Sequence, residues 1–267
     1  MDSTEQVYAS EATGWQRGLY EDIERTTGLV GSIWRTLTYH EPRFARYAWG
    51  QIKPVFGTRE FAAFSVAFRD TFLSAAEPDL PGYDAADVDL DPGEYAALRG
   101  QLARNDFLAP RYYVTQHPAP EWATRVRGQP LTLLPQDEAR ARIPGSPYVV
   151  PGEFGEMVPS EYRCIAQWPA FLERAWADLE PITGTDEFGT AIERSHSLVD
   201  TFFGRLQYTP KLAPDTLASM GFDEGTIAEL RDLFETFKAG GRGVIPLSPL
   251  YAATVDAAGE RRTLAFP

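Results

Sequence analysis

The stretch VPSEYRCIAQWPAF, residues 158 to 171, carries the side chains best suited to chemistry. Ser160, Glu161, Tyr162 and Arg163 stand in line ahead of an apolar run: a hydroxyl, a carboxylate, a phenol and a guanidinium. Its counterpart in the first half is GSIWRTLTYHEPRF, residues 31 to 44, which places Trp34 opposite Glu161. A carboxylate in one half and an aromatic ring in the other is how two duplicated halves could build one asymmetric site. A plainer role also suits these residues: Ser160 as a helix cap, with Glu161 in the positive first turn.

Most other signatures of chemistry are missing. There is no GxxxxGK[ST] loop, GxGxxG turn, HExxH helix or GxSxG elbow, and AGGRG at 239 to 243 is too loose to serve as a phosphate loop. His40, His117 and His196 are scattered, and a three-histidine zinc site would need all of them. The only cysteine is Cys164, which excludes an intrachain disulfide and a CxxC metal site. No metal is expected.

The elements that must position Glu161 are legible as a repeat. WGQIKPVFGTREF at 49 to 61 returns as WADLEPITGTDEF at 176 to 188, with Trp, Pro, Gly, Thr, Glu and Phe in register. At the same offset Pro42, Phe44 and Ala48 match Pro169, Phe171 and Ala175. The pattern reads as a joint between two helices. Pro181 sits near the end of the first, and Gly184 is expected to close it in the left-handed conformation. Thr185 caps the second, and Glu187 lies in its first turn. Phe61, Phe64, Phe68 and Phe72 then form one helical face, as do Phe188, Ile192, Val199 and Phe202. Trp15, Leu19 and Ile23 make an earlier stripe, and Ile227, Leu230, Phe234 and Phe237 a later one. PDTLASMGF at 214 to 222 reads as a short capped helix ended by Gly221. The expectation is an all-α protein of two pseudo-repeats packed around a site between the halves. The first covers 1–117, the second 153–267, and a Pro- and Gly-rich connection spans 118–152. The acidic segment at 77 to 94 reads as an exposed loop.

Composition narrows the function. The chain has 267 residues, 43% of them hydrophobic, which is enough for a real core. Its net charge is −13, which argues against nucleic acid as a partner because phosphate contacts need a basic face. Only Lys53, Lys211 and Lys238 are lysines, and an acidic, lysine-poor surface hints at a halophilic source. No segment approaches the ~18 to 20 continuous apolar residues of a membrane span. The polar, acidic start is unlike a signal peptide, so a cytoplasmic location is expected.

The layout resembles the group I 2-haloacid dehalogenases, the halocarboxylic acid dehydrogenase family. The resemblance rests on GLYEDIERTTGLVGSIWRTL at 18 to 37, the first joint, APRYYV at 109 to 114, and above all PSEYRCIAQWP at 159 to 169. It implies an all-α fold of two pseudo-repeats around the active site, typically dimeric, with no metal or organic cofactor. It further implies hydrolysis of short 2-haloalkanoic acids by a carboxylate that activates water, with no ester to the enzyme. Glu161 stands at the family's water-activating aspartate, after a serine and before an NWP-like element that here reads Gln167-Trp168-Pro169. Its side chain is one methylene longer than that aspartate. Ala109 stands at the supporting asparagine, and Asn105 lies one helical turn earlier. Leu29, Ser32 and Ile33 fall around the family's aromatic pocket. On this reading Glu161 is the general base, Ser160 and Tyr162 shape the pocket, and Arg163 or Arg111 pairs the substrate carboxylate through its fork of donors. Two other readings remain open: a hydrolase of another small acid, and a non-catalytic dimeric binding module on the same scaffold.

Overall fold

The computed structural model describes residues 1–115, 131–143, 158–242 and 244–261. Among these residues the chain forms helices and no strand. In the first half run α1 (Gly14–Thr27), α2 (Ser32–His40), α3 (Pro42–Ile52), α4 (Arg59–Ala76) and α5 (Pro92–Thr115). The short α6 (Gln136–Arg142) precedes α7 (Ser160–Ile165), α8 (Pro169–Thr183) and α9 (Asp186–Arg205). The chain then forms α10 (Pro214–Ser219), α11 (Glu224–Arg242) and α12 (Leu247–Ala253). Of the proposed connection, residues 118–130 and 144–152 lie outside the described residues, as does His117.

The two joints share their proline starts and threonine caps, but a 3-10 turn over Lys53–Gly57 fills the first where α8 runs on through Pro181 to Thr183. Pro42 opens α3 and Pro169 opens α8, where a missing N–H is no loss. Thr58 and Thr185 are extended, with φ of −87° and −78°. Each hydroxyl oxygen accepts the amide three residues on, from Phe61 at 3.1 Å and Phe188 at 3.2 Å. Such a cap contributes about 1 kcal/mol. Each threonine also closes the preceding turn: its hydroxyl donates to Val55 or Ile182 O at 2.7 and 2.8 Å, and its amide donates to the same carbonyl. That corrects the expected role of Gly184. Its φ is −84°, in the right-handed region, because the threonine already satisfies the carbonyl that a left-handed cap would have served. Gly221 does adopt φ +84° behind α10.

The phenylalanine faces form the center of the core. Phe61, Phe64, Phe68 and Phe72 of α4 are fully buried, and α4 packs along α9. Phe64 meets Phe202 with ring centroids 5.1 Å apart, Phe72 meets Phe188 at 5.6 Å, and Phe68 meets Tyr113 of α5 at 4.9 Å. Edge and offset contacts of this kind add about 0.5–1.5 kcal/mol per pair beyond area burial. The α1 stripe is only partly internal. Ile23 is fully buried, while Trp15 is 41% exposed with the Arg46 guanidinium over its ring.

α5 is tied to the rest by a buried ion pair. Arg69 Nε donates to Asp106 Oδ2 at 2.6 Å, and the same oxygen accepts the Gly259 amide at 2.9 Å. The chain after α12 is thereby pinned to α4 and α5. α5 is thus fixed where it presents Tyr112 to the site.

Candidate active site

The wall that faces Glu161 begins at the end of α1. Gly28 has φ +94° and donates its amide to Glu24 O, stopping the helix. The strap from Gly28 to Gly31 then crosses to α2. Tyr112 OH donates to Leu29 O at 2.7 Å, and Thr27 Oγ1 lies 2.7 Å from the same carbonyl. Gly31 is needed for space: a Cβ there would overlap the Tyr112 ring. Behind the strap, Arg35 Nη1 donates to Val30 O at 2.8 Å and Nη2 to Ser32 Oγ at 3.1 Å.

Glu161 is held from the other side by α7. Gln136 clamps the backbone ahead of that helix, accepting the Val158 amide at 2.8 Å and donating to Val158 O at 3.1 Å. Pro159, not Ser160, occupies the cap position of α7. Ser160 is the first helical residue, and its buried Oγ has no hydrogen-bond partner. Arg163 turns away, donating from Nε to Leu134 O at 2.7 Å. Asn105 Nδ2 lies 3.5 Å from Glu161 O, a contact too long to fix either group.

Between these walls lies a cavity of about 50 Å³. Leu29, Gly31, Ser32, Ile33 and Tyr112 form one side, Pro159, Ser160 and Glu161 another. α11 and the turn after it close it with Phe237, Gly240, Gly241, Val244 and Ile245. Glu161 is the sole carboxylate among the described residues of this lining. It is half-buried, with the cavity as its opening. Burial pushes its carboxyl above the usual range, offset by its own backbone amide and by the charge on Arg35. The same burial raises Tyr112 and Cys164, so both are neutral at physiological pH. A cavity this size is roughly a third of one that admits benzene (~150 Å³). It has room for only a few heavy atoms unless its walls give way.

The structure brings together Glu161 and Ser160 from α7 with Leu29, Ser32 and Ile33. It does not bring the other candidate residues to the cavity wall. Trp34 is buried behind the wall, edge-on to Trp49 at 5.3 Å. Tyr162 packs edge-on against Tyr251. Arg111 is buried on α5 with its guanidinium 3.4 Å from the Phe107 ring centroid, stacked there and not facing the cavity. Ala109 is buried and absent from the lining. Tyr112, Arg35 and the Gly240-Gly241 pair were not singled out from sequence. Their traces were APRYYV, which holds Tyr112, GLYEDIERTTGLVGSIWRTL, which holds Arg35, and AGGRG. No cluster of His, Cys, Asp and Glu able to hold a metal occurs among the described residues.

Solved D-2-haloacid dehalogenase structures share this architecture. One, a mutant, superposes with a TM-score of 0.74 at 17% identity, covering 93% of this chain and 94% of the other. A mutant in complex with D-2-CPA gives 0.76 at 18% identity, with 93% and 94% covered. A complex with L-LA gives 0.75 at 16%, with 93% and 95% covered. The chain has the 2-haloacid dehalogenase fold. In sequence, an (R)-2-haloacid dehalogenase of Pseudomonas putida is 22% identical over 255 residues, covering 82% of each chain. No family-wide sequence profile matches. The chain is thus similar to 2-haloacid dehalogenases in fold, and distantly in sequence. No described helix is long and apolar enough to cross a membrane.

Proposed function

We propose that this chain is a cofactor-independent hydrolase of short 2-haloalkanoic acids, with Glu161 as general base. The observation that carries the reading is one carboxylate, its pKa raised, in a small cavity whose other described lining is neutral. A raised pKa makes the ionised carboxylate a stronger base toward a bound water. Water held against Glu161 gives that proton to the carboxylate while its oxygen attacks the halogen-bearing carbon. The C–O bond forms as the C–X bond breaks, and halide leaves with the bonding electrons. The proton then passes to solvent. The products are a 2-hydroxy acid and one equivalent each of halide and acid. Ser160, whose hydroxyl is uncommitted, and Ser32 are the polar side chains placed to meet the substrate carboxylate. The lineage of the sequence and structural relatives supports the same reading, since they are haloacid dehalogenases.

A binder of small carboxylates on the same scaffold is the second reading. It is favoured by Ala109, whose methyl offers no hydrogen bond to a water. Halide release from each enantiomer of 2-chloropropionate separates the two. The hydrolase reading expects stoichiometric halide and lactate. Stabilisation by the acid without halide release would leave the binder.

A further inference from the structure

Arg35 is a buried cation whose charge the fold does not itself require. It is 5% exposed, and no carboxylate lies within ion-pair distance of it among the described residues. Its donors go to neutral acceptors: Gln6 Oε1 at 2.8 Å, Val30 O at 2.8 Å and Ser32 Oγ at 3.1 Å. The Tyr8 ring covers it at 5.3 Å. Taking an ion out of water costs several kcal/mol even in a relaxed protein. A neutral amide could brace a strap at far lower cost. The Gln6 contact is also built, not incidental: Gln6 Nε2 and Thr36 Oγ1 both donate to Ser3 O at 3.1 Å, and the Val7 amide donates to Arg35 O. Residues 3 to 8 are therefore laid over α2 so that a glutamine oxygen meets the guanidinium.

We propose that Arg35 is a positioning residue of this site: from behind the cavity wall it fixes Ser32 and the Gly28–Gly31 strap, and it supplies the positive charge that the Glu161 carboxylate faces. The described groups around Glu161 leave little else to do so. On α7, Arg163 is engaged with Leu134 O and Cys164 is neutral. From α5 comes Tyr112, also neutral. Among the described side chains, the lining from α11 and the turn after it is apolar or glycine. Around Arg35 itself, Tyr8, Tyr20 and Tyr112 are phenols, and Glu161 is the carboxylate whose charge it feels. Cation and carboxylate thus act across the Ser32 wall without touching. The substrate side of Glu161 stays free for water.

The inference rests on Glu161 being the working base, but its test does not need turnover. The protein is labelled with 13C at glutamate side-chain carboxyls, and Glu161 is assigned by its loss in Glu161→Gln. Its titration is then followed in parent, Arg35→Gln and Arg35→Lys. In Arg35→Gln the midpoint moves upward, and in Arg35→Lys it stays near the parent value. If turnover is present, the acid limb of kcat/KM in Arg35→Gln falls about tenfold at a fixed low pH, in the range an opposite charge exerts on a carboxylate. The alkaline plateau falls through KM in both variants, because neither side chain can hold both Val30 O and Ser32 Oγ, but only Arg35→Lys keeps the midpoint of the limb. An unmoved midpoint in folded Arg35→Gln overturns the proposal. If that variant does not fold, Arg35→Met, which keeps the apolar stem and removes the charge, is titrated instead, and an unmoved midpoint there overturns it equally. A moved midpoint in a protein that releases no halide would sustain Arg35 and defeat the hydrolase reading.

Discussion

Glutamine in place of Glu161 should stabilise the protein at neutral pH while it removes turnover. Burial among apolar side chains holds the Glu161 carboxyl above its usual 4.5 in the folded state, despite Arg35. In the unfolded chain it titrates near that usual value. The folded state therefore binds the proton more tightly, and stability falls as pH rises from the unfolded midpoint through the folded one. Below that window the carboxyl is neutral in both states and there is no penalty. Above it the penalty is complete, about 1.4 kcal/mol for each pKa unit of displacement. In a chain of this size each kcal/mol shifts Tm by roughly 2–4 °C. Glutamine has the shape of the protonated acid and does not titrate. The Tm of Glu161→Gln minus that of the parent should be small near pH 4, rise through the window and level off above it. Scanning calorimetry of both proteins from pH 4 to 8 measures this, and the remaining charges, common to both, largely cancel. A difference that is flat with pH, or that falls as pH rises, would refute the assignment of Glu161 as a buried, strained base.

Other consequences follow from the same coordinates. Gly240→Ala adds a methyl on the cavity wall inside α11. It should lower kcat/KM for 2-chlorobutyrate against chloroacetate by about 10-fold or more, the worth of one methylene in a tight pocket. Equal losses on both acids would remove the size argument. Arg69→Met leaves Asp106 buried without its partner and should cost roughly 3–5 kcal/mol, read as a lowered urea midpoint. A cost under about 1 kcal/mol would mean that the Gly259 amide suffices for Asp106. With a net charge of −13, Tm should climb from dilute buffer to molar potassium chloride as salt screens self-repulsion, and a flat curve would end the halophilic reading.

Much of the scaffold is legible in the sequence because local rules act on adjacent residues. The Thr58 and Thr185 caps, the phenylalanine faces of α4 and α9 and the Gly221 stop each depend on a few neighbours. Gly184 misled because the threonine beside it already closes the turn. Within the site, Glu161 and Ser160 are adjacent in sequence, so α7 presents both. Arg163 and Arg111 show the limit of such reading. A guanidinium reaches several ångströms in any direction, and here one finds Leu134 O and the other the Phe107 ring. Arg35 was invisible for the converse reason. Its meaning comes from Gln6 and Glu161, which are distant in sequence and meet only after folding.

The central claim is that Glu161 activates water and is never itself esterified. A single turnover of 2-chloropropionate by excess enzyme in 18O-water tests it most directly, with mass spectrometry of both lactate and protein. Direct attack places 18O in the lactate on the first turnover and leaves the protein mass unchanged. Unlabelled lactate, with 18O recovered in the peptide that carries Glu161, would contradict the account.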